Sequence, residues 1–331
     1  MTETSIGETT HPSALAADEA TMPAAGFATE AIAPPRGEWR DVWDQFRHHK
    51  GAMMGLIVLI LLVAFVVIGP LIWTIDPKYV NPDAAKMILS RNKPPTWEHP
   101  LGTDQLGRDM LARMMSGGKV SLAVGTVAMV ISMLLGSLIG VLAGYFRRLD
   151  GPLMRFTDLF LALPLLPLLL VMVMLFRDAI AGILGPEAGT FLLIVLAIGV
   201  TSWMQAARIV RGQVLALKER EFVLAARSIG TPSSRIILRH ILPNVVSPVM
   251  VAATLGIAGA IITESVLSFL GLGFPPDFPT WGRLLYDGVE YMQLYPARVI
   301  WPGLAISLTV LSVNYIGDGL RDALDPRIRG R

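Results

Sequence analysis

Glu264 stands in ITESVLSFLGLG, the acidic side chain set deepest among apolar neighbours. A carboxylate in such a place can carry a proton, hold an ion or touch a substrate. A second group of reactive side chains lies in HPLGTDQLGRDMLARMMSGGK. His99, Asp104 and Asp109 could be drawn together as metal ligands, but their spacing fits no compact ligand set. Ser116-Gly117-Gly118-Lys119 reads like the tail of a phosphate-binding loop. The leading glycine of that motif would fall at 113, where the residue is Arg113, so nucleotide hydrolysis by this motif is excluded. His11, His48, His49, His99 and His240 show no metal-binding spacing, and the absence of cysteine excludes disulfides, thiolate zinc sites and iron–sulfur clusters. The sequence thus offers no catalytic residue and no metal site.

The elements that must position these residues are membrane helices. Hydrophobic residues make up 53% of the chain and charged residues 16%, far from soluble usage. The net charge of +2 gives no reason to expect a nucleic-acid partner. Six charge-free runs are long enough to cross a bilayer: Gly51–Ile75, Val120–Phe146, Leu159–Phe176, Ala188–Ala207, Ile241–Thr263 and Val299–Gly317. Pro164 and Pro167 predict a kink in the third. Before the first run, EWRDVWDQFRHHK spaces Trp39, Trp43 and Phe46 as on a helix lying at the membrane surface; the alternative is a solvated helix start. Residues 1–37 are rich in Ala, Thr, Pro and Glu without periodicity, and are expected to form a disordered cytoplasmic tail.

Basic residues orient the chain. Arg36, Arg40, Arg47 and Lys50 precede the first span, Arg147, Arg148 and Arg155 follow the second, and seven lie between Arg208 and Arg239. Four more follow Gly317. This bias favours both termini in the cytoplasm, although the long Asp76–Lys119 segment, outside on this scheme, also holds seven. Glu264, about twenty residues beyond Asn244 and so ~30 Å along its helix, then falls near the outer interface. A structural role at the mouth is expected there. Thr103 or Asp104 is expected to cap a helix with Leu106, Met110, Leu111 and Met114 on one face and Arg108, Asp109 and Arg113 on the other. Ser132, Gly136, Gly140 and Gly144 form a small-residue row, as do Ala252, Gly256 and Ala260. Such rows serve packing within one chain and subunit interfaces alike.

One charged interval separates two long apolar runs: KEREFVLAARSIGTPSSRIILRHILPN, Lys218–Asn244. Glu219 and Glu221 suit a helix N-terminus, and Gly230 suits the left-handed position after its C-terminus. Thr231 and Pro232 fit the start of a second helix, which Pro243 is expected to break. Two helices bent at a glycine also describe a DNA-binding helix-turn-helix, but membrane spans flank this pair on both sides.

Here the chain resembles a known family. Ala225-Ala226, Gly230 and His240-Ile241-Leu242-Pro243 resemble the EAA loop of bacterial ABC importer permeases. RHILPN, HPLGTDQLGRD, ESVLSFLGLG and GDGLRDALDP are similar to the dipeptide/oligopeptide/nickel group, and to the C-type of its two unlike permease subunits. The resemblance implies an all-α, six-helix type I importer permease fold in the bacterial cytoplasmic membrane. It implies a second homologous permease subunit, two ABC ATPase subunits that bind ATP and Mg, and an external substrate-binding protein; this chain itself would bind no cofactor. It makes residues 118–320 the permease core and 321–331 a cytoplasmic tail. Helix 221–230 would be a coupling helix docked on an ATPase, with Glu221, Ala225, Ala226, Gly230, Leu242 and Pro243 as its contact and turn residues. Leu224 departs from the family pattern, standing where the motif carries glutamate, and Glu221 is the candidate replacement. Peptides are the modal cargo of the group, nickel and oligosaccharides the alternatives. A stand-alone secondary transporter, the rival class, would need ionisable groups at the bilayer midplane, and the spans are nearly free of charge.

Overall fold

The computed structural model describes residues 38–324. The proposed N-terminal tail and the last seven residues lie outside that range. Thirteen helices follow in order: α1 (Glu38–His48), α2 (Lys50–Val67), α3 (Gly69–Ile72), α4 (Ala84–Ser90), α5 (Met110–Tyr145), α6 (Arg147–Ala162) and α7 (Leu165–Leu184). Then come α8 (Pro186–Leu217), α9 (Glu221–Ser228), α10 (Ser233–Ile236), a π-helical turn at Ile237–Ile241, α11 (Leu242–Phe269), α12 (Trp281–Val289) and α13 (Ala297–Leu324). Six helical stretches are long and apolar enough to span: Lys50–Ile72, α5, α7, α8, Ser233–Phe269 and α13.

The glycine row decides the central packing. A Cβ at Gly136, Gly140 or Gly144 would come within 2.5, 2.6 and 2.7 Å of Ala206, Ala207 and Val214 respectively, all on α8. Only hydrogen lets the two backbones approach so closely. The row is therefore occupied by packing within the chain. α7 packs on α8, and α11 packs on α5 and α13. Gly256 faces the side chain of Met129 on α5. At one end Val42 and Phe46 of α1 pack with Ala52 and Ala323, so α1 rests on α2 and α13 while Trp43 stays half exposed.

Four expectations need correction. The third span is α7, displaced to Leu165–Leu184, because Leu163 and Pro164 end α6 instead of kinking one helix. Pro167 then falls in the first turn of α7, where an N–H would have no intrahelical partner. Pro232, not Thr231, occupies the capping position of α10. Pro243 breaks nothing: Ser233–Phe269 continues through it. The π turn absorbs the missing donor, with Leu242 N–H reaching back to Ile237 O and the Asn244 amide donating to His240 O at 2.7 Å.

The last correction concerns the start of α5. The cap is Asp109, whose carboxylate accepts from Ala112 N–H at 2.7 Å, rather than Thr103 or Asp104. Asp104 instead folds the preceding loop, accepting from Leu106 and Arg108 N–H at 2.8 and 2.9 Å. Arg108 and Arg113 are fully buried. His99 and Asp109 do meet, at 2.8 Å, while Asp104 pairs with Arg108 at 2.7 Å.

Candidate functional site

α9 leaves α8 by a short turn and folds back onto it. Glu221 stands in its first turn, where the helix dipole favours negative charge. Val223 and Ala226 are buried against Val210, Val214, Ile236, Ile241 and Val245, which fixes the helix on the ends of α8 and α11. Burying Val223 contributes about 2 kcal/mol. The other face is open: Phe222 and Leu224 are exposed by 45% and 41%, and Ile229 beyond the helix by 83%. Ala225 lies on this face and Ala226 does not. The two alanines therefore differ in exposure, Ala225 turned outward and Ala226 into the chain.

The turn after α9 is closed by two backbone bonds. Gly230 N–H donates to Arg227 O at 3.0 Å, and Thr231 N–H to Ala226 O at 3.1 Å. This is a Schellman turn, which needs a left-handed residue at Gly230; its φ is 77°. Nothing lies within 4 Å of a Cβ built there, so backbone strain alone selects glycine. Leu242 and Pro243, grouped with α9 by sequence, open α11 beyond the π turn. Glu221 and Leu224 are one turn apart on the exposed face, which puts a carboxylate beside the place where the family motif has one. Nearby, Asp150 of α6 takes two hydrogen bonds from Arg211 of α8, one of them 2.7 Å. The Arg211 guanidinium holds the Asp150 carboxyl below its ordinary range.

A cavity of about 460 Å³ opens between α5, the α6–α7 elbow, α8 and α11. Met129, Met204, Phe160 and Leu165 make its apolar wall, and Gln205 and Thr263 supply polar groups. Gly256 lines it as well. Ala252, Gly256 and Ala260, the small-residue row, all line it, but the sequence marked them for packing and not for a cavity. The one signal was Gln205, an amide inside an apolar run.

Glu264 is not on that wall. It is fully buried, and its carboxylate accepts from Ser268 Oγ at 2.8 Å and Ser121 Oγ at 3.3 Å. Ser121 Oγ in turn accepts Trp281 N–H at 3.1 Å, and the buried Trp281 indole donates to Met114 O at 3.0 Å. One carboxylate thereby fastens α5, α11 and α12 together. Its polar neighbours include the hydroxyls of Ser121 and Ser268.

Comparison with known proteins now gives this geometry a context. Residues 132–330 match the family described as binding-protein-dependent transport system inner membrane component. Residues 37–95 match the N-terminal TM domain of oligopeptide transport permease C. The chain is 39% identical over 293 residues to the oligopeptide transport system permease protein OppC of Bacillus subtilis, covering 88% of this chain and 90% of that one. It is 36% identical over 323 residues to the dipeptide transport system permease protein DppC of Alkalihalophilus pseudofirmus, covering 97% and 99%. Among solved structures, a chain of the inward facing MetNI methionine ABC transporter aligns over 63% of this chain and 95% of its own length, with a TM-score of 0.49 and 17% identity. A family match across most of the chain and six apolar spans agree: the protein belongs to the binding-protein-dependent transport inner membrane component family, as a multi-pass ABC permease subunit of the inner membrane.

Proposed function

We propose that this chain forms half of the pathway of an ATP-driven importer of di- or oligopeptides, coupled to its motor through α9. The observation that carries the coupling is the exposed apolar face of α9, seated on the ends of two spanning helices and ended by the Gly230 turn. The peptide cargo rests on the relatives, whose names describe oligopeptide and dipeptide permeases. A second homologous permease completes the pathway. Two ATPase subunits bind ATP and Mg, one of them gripping α9, and an external binding protein delivers the solute.

In this reading both termini and α9 face the cytoplasm, consistent with the seven basic residues from Arg208 to Arg239. Residues 38–117 form an entry unit of surface helix, first span and outer loop, and residues 118–320 the permease core. Glu221, Leu224 and Ala225 meet the ATPase, Gly230 shapes the turn, and Leu242 and Pro243 pass the movement into α11. Gly136, Gly140 and Gly144 keep the central pair rigid, Gly256 gives the cavity its width, and Glu264 secures the mouth. Driving the cavity from mostly inward to mostly outward takes ~5 kcal/mol of differential binding, which a stiff link delivers without loss.

The test is Ala225→Arg in the assembled transporter. The expected result is normal membrane insertion, loss of co-purifying ATPase, and peptide uptake reduced at least tenfold. Uptake by this chain alone, or uptake of nickel or an oligosaccharide but no peptide, would overturn the proposal.

A further inference from the structure

The cavity between α5, α8 and α11 is lined by two kinds of side chain. Met129 and Met133 stand one turn apart on α5, and Met204 adds a third thioether from α8. Methionine is unbranched and turns about three bonds, so such a wall reshapes itself around contents of different size. Four polar side chains interrupt it: Thr201, Ser202 and Gln205 on α8 and Thr263 on α11. The two threonines are already engaged. Thr201 Oγ1 donates to Ala197 O at 2.7 Å and Thr263 Oγ1 to Gly259 O at 2.8 Å, each within its own helix. Ser202 and Gln205 make no such bond among the described residues, and Gln205 is exposed.

No ionisable side chain among the described residues lines the cavity. Asp158 and Arg208, close in sequence to its Phe160 and Ile209, pair with each other. Glu264, next to Thr263, is fully buried and held by Ser121 and Ser268. A wall without fixed charge neither draws nor repels its contents by sign. It also offers a bare divalent metal ion no carboxylate or imidazole. What remains is an amide, both donor and acceptor, with a hydroxyl one turn away on the same helix face. That pair complements an uncharged group carrying one N–H and one C=O. The peptide group is such a group, and it recurs unchanged whatever the side chains.

We propose that Gln205, with Ser202 beside it, recognises the cargo on this half of the pathway by one main-chain amide group of a peptide. The methionine wall accepts side chains of any size, and the absence of charge makes it indifferent to their sign. The constant part of the cargo meets the fixed polar pair, and the variable part meets the adaptable surface. Hydrogen bonds exchanged against water add little net affinity, so the cargo is oriented without being trapped. The inference rests on the reading of the cavity as a peptide pathway and names the group recognised there.

The test uses the complete transporter, with its ATPases and binding protein, in proteoliposomes. It follows uptake of trialanine and of its analogues with a central glutamate or a central lysine. Gln205→Glu keeps the shape and adds a negative charge, and Gln205→Lys adds a positive one. At contact distance in water one charge shifts relative uptake by about fivefold. Gln205→Glu is expected to lower uptake of the glutamate peptide relative to the lysine peptide by that factor, and Gln205→Lys to do the reverse. Gln205→Leu, which removes the polar group, is expected to lower all three together by about tenfold. A merely structural role would lower all three in every variant without changing their ratios. Unchanged ratios in both charged variants, or full uptake by Gln205→Leu, would overturn the assignment and leave peptide transport standing. Uptake of none of the three by the unaltered transporter would overturn the peptide reading and this inference with it.

Discussion

Gly230 and Glu264 act at the scale of single residues, through opposite means. Gly230 works by having no side chain at a φ of 77°, where an L-residue costs ~1–2 kcal/mol. Gly230→Val is predicted to insert normally yet to lower solute-stimulated ATP hydrolysis by tenfold or more; wild-type coupling in that variant would refute the role of the turn. Glu264 works by accepting from two serines in a dry site. Glu264→Gln keeps one acceptor oxygen and is predicted to spare uptake, whereas Glu264→Ala leaves orphaned hydroxyls and a void and should cost roughly 2–4 kcal/mol, read as a lower melting midpoint. Loss of uptake by the Gln variant with normal assembly would make the carboxylate a participant in transport. The demand for glycine at 230 was legible in the sequence because it is set by one residue's backbone. The inward turn of Ala226 was not. α9 has apolar residues on both faces, and periodicity alone cannot say which face meets its own chain.

Among elements, the fifth span shows how local rules are overruled. A proline after ten helical residues reads as a stop, but the π turn shifts the hydrogen-bond ladder by one residue just before it. The signal was present in Asn244, whose amide donates to the His240 carbonyl within the turn. Pro243→Ala restores a backbone donor and is predicted to collapse the π turn into regular helix, visible as new amide protection at residue 243 and as weakened coupling. Unchanged coupling would show that the π turn carries no part of the motion. Pro164 misled in the other direction, because a kink and a break have the same sequence signature and only α6 packing along α8 separates them. The Asp150–Arg211 pair ties those two helices and gives a pH dependence. Since the folded-state pKa of Asp150 is depressed, its stabilisation is present above the ordinary carboxylate range and is lost as pH falls from that range through the lower folded-state value. Asp150→Asn should lower neutral stability by the modest contribution of this part-exposed pair and flatten the acid limb, the two profiles converging at low pH.

For the whole molecule, the six spans and their helical class were legible from apolar run length, because hydrocarbon thickness imposes it. The cavity was not, since its wall is built from the same apolar residues that face lipid elsewhere. Orientation can be tested directly because the native chain has no cysteine to remove. Trp97→Cys, at a 98% exposed site, is predicted to react with an impermeant maleimide on intact cells, and Ile229→Cys only after permeabilisation. The reverse pattern would invert the proposed topology. The length of α5 has a mechanical meaning. α5 has 36 residues, roughly 54 Å at ~1.5 Å per residue, well beyond a ~30 Å hydrocarbon core. One end is anchored in the arginine–aspartate network and the other in the cluster that seats α9. Such a strut is a lever arm: pivoting it by about 5° at the arginine end sweeps its far tip through roughly 5 Å, close to one helical pitch.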